Sequence, residues 1–344
     1  MSFPLLCAVA ALLATWTFLR RRRLAAAGDI DVWGGVDAGS ALPALSRFGF
    51  NPLGRLLLAF NAIALAVGIA FLSAGHVTID WPTAWLSAAL LSALVVVWLN
   101  LYFMPGAPWE AFVAEVLFVT FVMLLLTNVL VPMQYGALAL RAPYADWWLA
   151  KADASLGVSV PAMTSWTWGH PRVALLAKVV YFTFAPQMLL TVLALAVGRD
   201  RERLWEFAFH FHVCLILTIA SLAIWPSACA PVFYRFEPTI DTTRAIAQIR
   251  GFHDGLLTVV RFDDLDGLVS FPSFHVAGAL LVTWAFRDRR RILVPLAVLN
   301  AGLCLSTVFT GEHYVIDVIA AVPLVGASVA AWRWGGRRQL TADA

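Results

Sequence analysis

Charged residues are scarce in this chain, and their scarcity excludes an ordinary soluble domain. Only 13% of the 344 residues are Asp, Glu, Lys or Arg, against roughly 25% in typical soluble domains. Hydrophobic residues make up 61%, and the mean hydropathy is +0.80. The 15 tryptophans and 23 phenylalanines suit membrane interfaces and helix bundles. The composition therefore predicts an integral membrane protein, with the lipid bilayer and no nucleic acid as its partner.

Cysteine is also rare, and its placement excludes a disulfide framework. The chain has four cysteines and no CxxC pair, and three of the four lie inside apolar runs. Nothing else in the sequence indicates a prosthetic group, so we expect no cofactor.

Nine apolar segments are long enough, or nearly long enough, to cross a hydrocarbon core about 30 Å thick. The segments are 3–19, 54–73, 82–104, 110–133, 172–197, 203–226, 269–286, 291–310 and 313–335. The first is followed, not preceded, by the positive charges Arg20 to Arg23, so it is interpreted as a retained span and not a secretory signal. The predicted fold is an all-α polytopic transmembrane helix bundle of about nine spans, with a six-helix core.

The loop charges predict an orientation. If Arg20 to Arg23 are cytoplasmic and the spans alternate, 16 of the 24 Lys and Arg residues lie on the cytoplasmic side. This places the N-terminus outside and the C-terminus inside. The linkers "GRDRER" and "RDRRR" then share the cytoplasmic side, while His275 and His313 both begin spans that enter from the outer face.

The predicted domains are an accessory N-terminal bundle over 1–109, a six-span core over 110–335 and a cytoplasmic tail over 336–344. One outer loop, 139–171, carries a tryptophan-rich segment. Read as a helix, this segment groups Trp148, Leu149, Ala152 and Leu156 on one face and would lie in the membrane interface. A simple interfacial anchor is an equally acceptable interpretation.

The stretch "FPSFH", residues 271–275, resembles a phosphate-binding helix start. Pro272 is suited to the first turn of a helix, where the amides of Ser273 and Phe274 would lack helical partners and could bind an anion with the Ser273 hydroxyl. His275 follows closely enough to donate a proton. The alternative is a capped transmembrane helix whose histidine faces a cavity.

The stretch "HYVID", residues 313–317, places an acid four residues after a histidine. On a helix, His313 and Asp317 would share one face and touch. A carboxylate on one ring nitrogen fixes the tautomer and raises the basicity of the other nitrogen, as in an activated base or nucleophile. The alternative is a structural hydrogen bond that holds the last span in place.

Together the two stretches predict in-line phosphoryl transfer. His313 would attack phosphorus to give a phosphohistidine, and His275 would protonate the departing oxygen. These residues resemble the type 2 phosphatidic acid phosphatase superfamily, whose second motif, PSxH, is matched by Pro272, Ser273 and His275, and whose third motif is matched by His313 and Asp317. The segments "GLVSFPSFH" and "HYVIDV" are most similar to the inositol phosphorylceramide synthase branch and its bacterial relatives.

The chain departs from the family pattern in two places. It has no Arg-Pro pair for the first motif, and Ser306 is followed by Thr307 where the third motif commonly has Ser-Arg. Arg250 and Lys178 are the candidates to replace the missing phosphate-binding cations.

The resemblance implies a metal-independent lipid phosphatase or phosphotransferase of a bacterial inner membrane. Its active site would face the periplasm, and its substrate would be a phospholipid or sphingolipid-type phosphate. Two alternatives use the same residues. His275, His313 and Asp317 could instead ligate a metal in a membrane hydrolase, or His313 and Asp317 could relay protons in a transporter.

Overall fold

The computed structural model describes residues 49, 51–103 and 108–336, and this part of the chain is almost entirely helical. The helices in chain order are α1 (Pro52–Ala74), α2 (Trp85–Phe103), α3 (Pro108–Ala139), α4 (Asp146–Ser155), α5 (Val160–Trp168), α6 (Pro171–Phe182), α7 (Phe184–Val197), α8 (Arg201–Ile224), α9 (Ala230–Tyr234), α10 (Thr243–His253), α11 (Phe274–Ala285), α12 (Arg290–Phe309) and α13 (Val315–Ala331). Two short strands, β1 (Thr78–Asp80) and β2 (Val259–Arg261), complete the fold. The predicted all-α helix bundle is confirmed.

Local sequence signals set where several helices begin. Asn51 caps α1, accepting a hydrogen bond from the Gly54 amide at 2.8 Å, and Pro52 follows as the first helical residue. Asp200 caps α8 in the same way through the amide of Arg203. Such caps satisfy amides that have no partner at a helix start.

Six described helical segments are long and apolar enough to cross a membrane, or seven if the bent pair α6 and α7 counts as one span. The bend between α6 and α7 is 42° and lies at Thr183. These seven segments correspond to seven of the nine predicted spans. The predicted span 3–19 lies outside the described residues.

The predicted span 269–286 is only partly helical. Its helix, α11, has 12 residues, which is about 18 Å at 1.5 Å per residue and too short for the hydrocarbon core. Pro272 explains the late start, because a residue before proline is disfavoured in the α conformation. The non-helical residues before α11 contact other parts of the protein, which is where irregular backbone is tolerated at membrane depth.

Helices α3 and α8 form the centre of the bundle, and α1 and α2 pack against α3. Buried Leu126, Trp205 and Leu281 belong to one continuous core that joins α3, α8 and α11. A buried polar contact crosses this core, with Asn61 Nδ2 3.2 Å from His212 Nε2. Apolar side chains on the outer faces of α1, α6, α7 and α12 stay exposed, as expected for helices that face lipid.

The two arginine-rich linkers lie at the same end of the bundle. Arg289 pairs with Asp200 at 2.8 Å, Arg287 pairs with Glu206 at 2.8 Å, and Arg203 pairs with Asp288. The loop charges correctly predicted that these linkers share one side.

At the other end, β1 and β2 pair in parallel, with Ile79 opposite Val260. Asp80 and Arg261 add an ion pair at 3.2 Å. This pairing connects the loop after α1 to the loop before α11, which the sequence did not predict. Helices α1 and α2 pack directly on α3. The predicted domain boundary between residues 109 and 110 stays a prediction.

Candidate active site

The PSxH stretch forms the start of α11, but not in the register that the sequence predicted. Ser273 is the N-cap and Phe274 the first helical residue, so Pro272 precedes the first turn. The Ser273 amide donates to the carbonyl oxygen of Asp317 at 3.1 Å and is therefore already engaged. His275 lies in the first turn, as predicted, beside helix amides that have no helical acceptor.

The HYVID stretch brings His313 and Asp317 together by a different route from the one predicted. Tyr314 is the N-cap of α13, so His313 precedes the helix and does not share a helical face with Asp317. Asp317 is the third residue of α13 and turns back over the cap, accepting from the Tyr314 amide at 2.9 Å. This turn of the side chain leaves Asp317 Oδ2 3.2 Å from His313 Nδ1.

His313 is held from both sides of its ring. A carboxylate only accepts hydrogen bonds, so neutral His313 carries its proton on Nδ1, facing Asp317. Nε2 then carries no proton and keeps its lone pair. This nitrogen lies 3.2 Å from Ser273 Oγ. Burial alone would lower the pKa of His313, but the hydrogen bond and charge of Asp317 outweigh it, so the pKa lies above 6.5.

Asp317 is fully buried, and its position is set by neutral donors. The Ser270 hydroxyl donates to Oδ2 at 2.7 Å, alongside the Tyr314 amide and His313. A carboxylate fixed in this way orients an imidazole and stabilises its charged form.

His275 and His313 lie at the same level of the bundle, with ring centroids 6.3 Å apart. Two aromatic rings enclose His275: Tyr181 stacks on it at 4.6 Å, and Phe184 lies at 4.5 Å. The two histidines are close enough for one phosphate ester to contact both.

Both histidines open into a cavity of about 580 Å³. Its walls come mainly from α3, α7, α8 and α10 and are mostly apolar, and Ser270, Glu312 and the two histidines are among the polar side chains in its lining. A cavity of this size suits a ligand that is largely apolar and has a small polar group.

Glu312 and Tyr181 are site residues that the sequence analysis missed. The Tyr181 hydroxyl donates to Glu312 Oε2, and both residues line the cavity. Burial raises the pKa of Glu312, against the opposing effects of His313 and Tyr181. The position of Glu312 next to His313 in the sequence was a usable signal, whereas nothing local indicated Tyr181.

Asp146 and Asp153 fix the N-terminal end of α13. Asp153 accepts from the amides of Val315 and Ile316 at 2.9 and 2.8 Å, the first two residues of that helix. Asp146 accepts from the Tyr314 hydroxyl at 2.9 Å. The tryptophan-rich segment is therefore a helix, as predicted, but one face of it is docked on the site.

The face of that helix that is buried against the protein carries two acids and a leucine. Asp146, Leu149 and Asp153 are buried, whereas Trp148 and Leu156 are 65% and 50% exposed. The exposed tryptophan remains free to contact the membrane interface. Of the four residues on the predicted apolar face, Leu149 is buried against the protein, and the interfacial placement of the others stays a prediction.

Two candidate phosphate-binding residues lie away from the cavity. Arg250 is exposed on α10, and Lys178 is partly exposed on α6. Within the described residues, no lysine or arginine lines the cavity. Ser273 is close, but its hydroxyl contacts His313 and also accepts from the Val276 amide at 3.4 Å. Phosphate binding by these three residues stays a prediction.

The side chains proposed as metal ligands in the alternative interpretation do not converge. Asp317 contacts His313 on Nδ1, while His275 lies across the cavity from that contact. Among residues 49, 51–103 and 108–336, no group of three or more His, Cys, Asp or Glu side chains has an arrangement that could hold a metal ion.

The fold and the site together define a multi-pass helical membrane protein with a paired-histidine centre at the end of an apolar cavity. A family model described as the PAP2 superfamily matches residues 147–331, from α4 to the end of α13. The chain belongs to this superfamily, and membership indicates a phosphatase-type enzyme that acts on a lipid phosphate. No curated protein and no solved structure matches the chain significantly.

Proposed function

We propose that the protein is a metal-independent lipid phosphatase or phosphotransferase that works through a phosphohistidine on His313. The observation that carries this proposal is the placement of His313 between Asp317 and the apolar cavity that it shares with His275. Asp317 fixes the proton on Nδ1, which leaves Nε2 as a nucleophile beside the bound phosphate.

The first step forms one bond and breaks one. The Nε2 lone pair attacks phosphorus, and the bond from phosphorus to the lipid oxygen breaks with its electron pair going to that oxygen. His275 gives its proton to the departing oxygen, which leaves as an alcohol. Asp317 stabilises the positive charge that develops on His313.

The second step reverses the proton flow. A water or alcohol oxygen attacks the phosphohistidine, the bond from phosphorus to Nε2 breaks, and the electron pair returns to the ring. His275, now neutral, accepts the proton of the attacking hydroxyl. Hydrolysis and transfer differ only in the acceptor, and the likeness to the inositol phosphorylceramide synthase branch favours an alcohol.

The phosphate oxygens would be held by the amides at the start of α11, where unpaired donors and the helix dipole favour an anion. Ser273, Arg250 and Lys178 are the further candidates for this role. Ser273 would exchange its contact with His313 for one with phosphate, whereas Arg250 and Lys178 would have to approach from outside the cavity lining.

The proposed location is a bacterial inner membrane, with the site facing the periplasm. Support comes from the arginine-rich linkers, which share the end of the bundle opposite the histidines. Positive loop charges mark the cytoplasmic side of membrane proteins. Labelling of loop cysteines with a membrane-impermeant thiol reagent, or cleavage of the loops by added protease, would test this orientation in intact cells.

The test is turnover of a phospholipid panel by the detergent-solubilised protein in the presence of EDTA. We expect chelator-resistant release of phosphate or phosphoester that is lost in His313→Ala and retained in His170→Ala, a histidine on the same side but outside the cavity. Acid-labile, base-stable phosphate on the wild-type chain would identify the intermediate. Loss of turnover with EDTA, or full activity of His313→Ala, would overturn the mechanism.

A further inference from the structure

The polar end of the cavity has an unusual charge balance for a phosphate site. Among the described residues its lining includes Glu312 but no lysine or arginine. The only side chains there that can carry positive charge are His275 and His313, and the proposed chemistry requires neutral His313 for attack. The described lining of the site therefore offers an incoming phosphate no permanent positive charge before reaction.

Glu312 is held in place and not simply exposed at the rim. Its carboxylate accepts a hydrogen bond from the Tyr181 hydroxyl, and the Tyr181 ring stacks on His275 with centroids 4.6 Å apart. Because Tyr181 is buried and packed, the carboxylate is fixed on the same side of the cavity as the proposed proton donor.

The residues behind this end of the cavity add negative and not positive charge. Asp146, Asp153 and Asp317 are all at least 96% buried. Asp146 and Asp153 are satisfied by hydroxyl and amide donors, without an ion pair to lysine or arginine in the described structure. Within the part of the chain that the structure describes, His313 is the one ionisable partner of Asp317.

We propose that Glu312 is a specificity-determining residue that makes this site select singly charged phosphate esters over doubly charged ones. The inference rests on the proposed function, because it assumes that phosphate binds between His275 and His313. A phosphodiester carries one negative charge and is therefore repelled less by the carboxylate of Glu312. A phosphomonoester carries a second charge above its second ionisation, and that charge meets the carboxylate of Glu312.

The expected size of the effect follows from Coulomb's law. Two unit charges a few ångströms apart repel appreciably at the intermediate dielectric of a protein site, and a selectivity of about tenfold needs only part of that repulsion. Salt screens buried charges less than exposed ones, so the preference should persist at moderate ionic strength.

The direct test compares two non-hydrolysable ligands, hexadecylphosphonic acid and its monomethyl ester, which differ by one ionisable hydroxyl and one methyl group. Binding to the detergent-solubilised wild-type chain is measured by thermal stabilisation, at a pH where the free acid carries two charges. We expect the monomethyl ester to bind about tenfold more tightly or better. In Glu312→Gln, which keeps the size and removes the charge, the ratio of the two affinities should fall towards one.

Two matched variants complete the design. Glu237→Gln makes the same substitution at an exposed acid outside this cavity and should keep the wild-type ratio. Tyr181→Phe removes the hydroxyl that contacts Glu312 but keeps the carboxylate, and should also keep the preference for the monomethyl ester over the free acid. A second readout is diacylglycerol release from phosphatidic acid and phosphatidylmethanol, whose relative rates should shift towards phosphatidic acid in Glu312→Gln.

The outcomes separate the inference from the proposed function. Equal binding of both ligands to the wild type, or an unchanged ratio in Glu312→Gln, would overturn the role of Glu312 and leave the phosphohistidine mechanism intact. If neither ligand binds, the lipid-phosphate function and the inference fail together. If Glu312→Gln does not fold, Glu312→Asp, which keeps the charge, must keep the ratio or the inference is wrong.

Discussion

The hydroxyl of Tyr314 donates a hydrogen bond to Asp146 across 168 positions of the chain, at 2.9 Å. Tyr314 is fully buried and is the residue between His313 and α13. Asp146 is also held by the Ser227 hydroxyl and the Ala228 amide, both at 2.8 Å. Helix α4 thus fixes the backbone that carries the proposed nucleophile.

This contact predicts a measurable coupling between the two residues. Asp146→Ala and Tyr314→Phe should each destabilise the protein, and the double variant should lose less than the sum of the two. Contacting residues typically show a coupling of about 0.5–3 kcal/mol. Thermal unfolding in detergent measures it, with Glu237→Ala as an exposed control. Strict additivity would show that the hydrogen bond contributes nothing.

Asp317→Asn should reduce the rate of phosphohistidine formation by roughly 10²–10⁴-fold, the range typical of proton-transfer assistance. An amide at this position can present its NH₂ group to Nδ1, which would favour the wrong tautomer and leave the proton on Nε2. Single-turnover labelling of the chain measures the rate. Ser270→Ala, which removes one donor to Asp317 but keeps the carboxylate, should lose much less. Equal losses in the two variants would contradict a tautomer effect.

The raised pKa of His313 predicts the pH dependence of the first step. Only the neutral ring can attack, so the rate should increase with pH through a midpoint above 6.5. The cause is Asp317, so the midpoint should move to lower pH in Asp317→Asn. A pH profile of single-turnover labelling measures both midpoints, and identical midpoints would contradict the assignment.

The raised pKa of His313 also affects the stability of the folded protein. A group whose pKa is raised on folding stabilises the folded state in its protonated form. The contribution of His313 is therefore fully present below its ordinary value of 6.5 and is lost as the pH rises through the raised value. The difference in free energy of unfolding between the wild type and His313→Gln, measured across this pH window, should decrease as the pH increases.

The sequence predicted the helix bundle and the meeting of the two histidines because both depend on long-range regularities. Span length and loop charge placed His275 and His313 on one side, and the structure brings their rings within 6.3 Å. The local geometry around each histidine was harder to predict from the sequence. Whether a histidine lies within a helix or before its N-cap depends on one residue of register, and Tyr314 rather than His313 is the cap.

The supporting residues could not be predicted from the sequence for a different reason. Asp153 and Val315 are 162 positions apart, and the hydrogen bond between them depends on how α4 docks on α13. A buried aspartate with only amide and hydroxyl partners also departs from the usual expectation that acids on an outer loop face water. Tyr181 and Glu312 meet only because α6 packs beside the loop before α13.

The apolar cavity predicts a dependence on chain length that separates tail binding from catalysis. Val131 lines the cavity on α3. Val131→Trp should fill part of the cavity and raise KM for a long-chain lipid phosphate by about tenfold, since overpacking costs about 1–3 kcal/mol. A short-chain soluble substrate should be turned over as by the wild type, because its phosphate still reaches His313. Leu65→Trp places the same side chain on the exposed face of α1 and should change neither value. Equal losses for long and short substrates in Val131→Trp would mean that the substitution disturbs the histidines, and the lipid tail would then have to bind elsewhere.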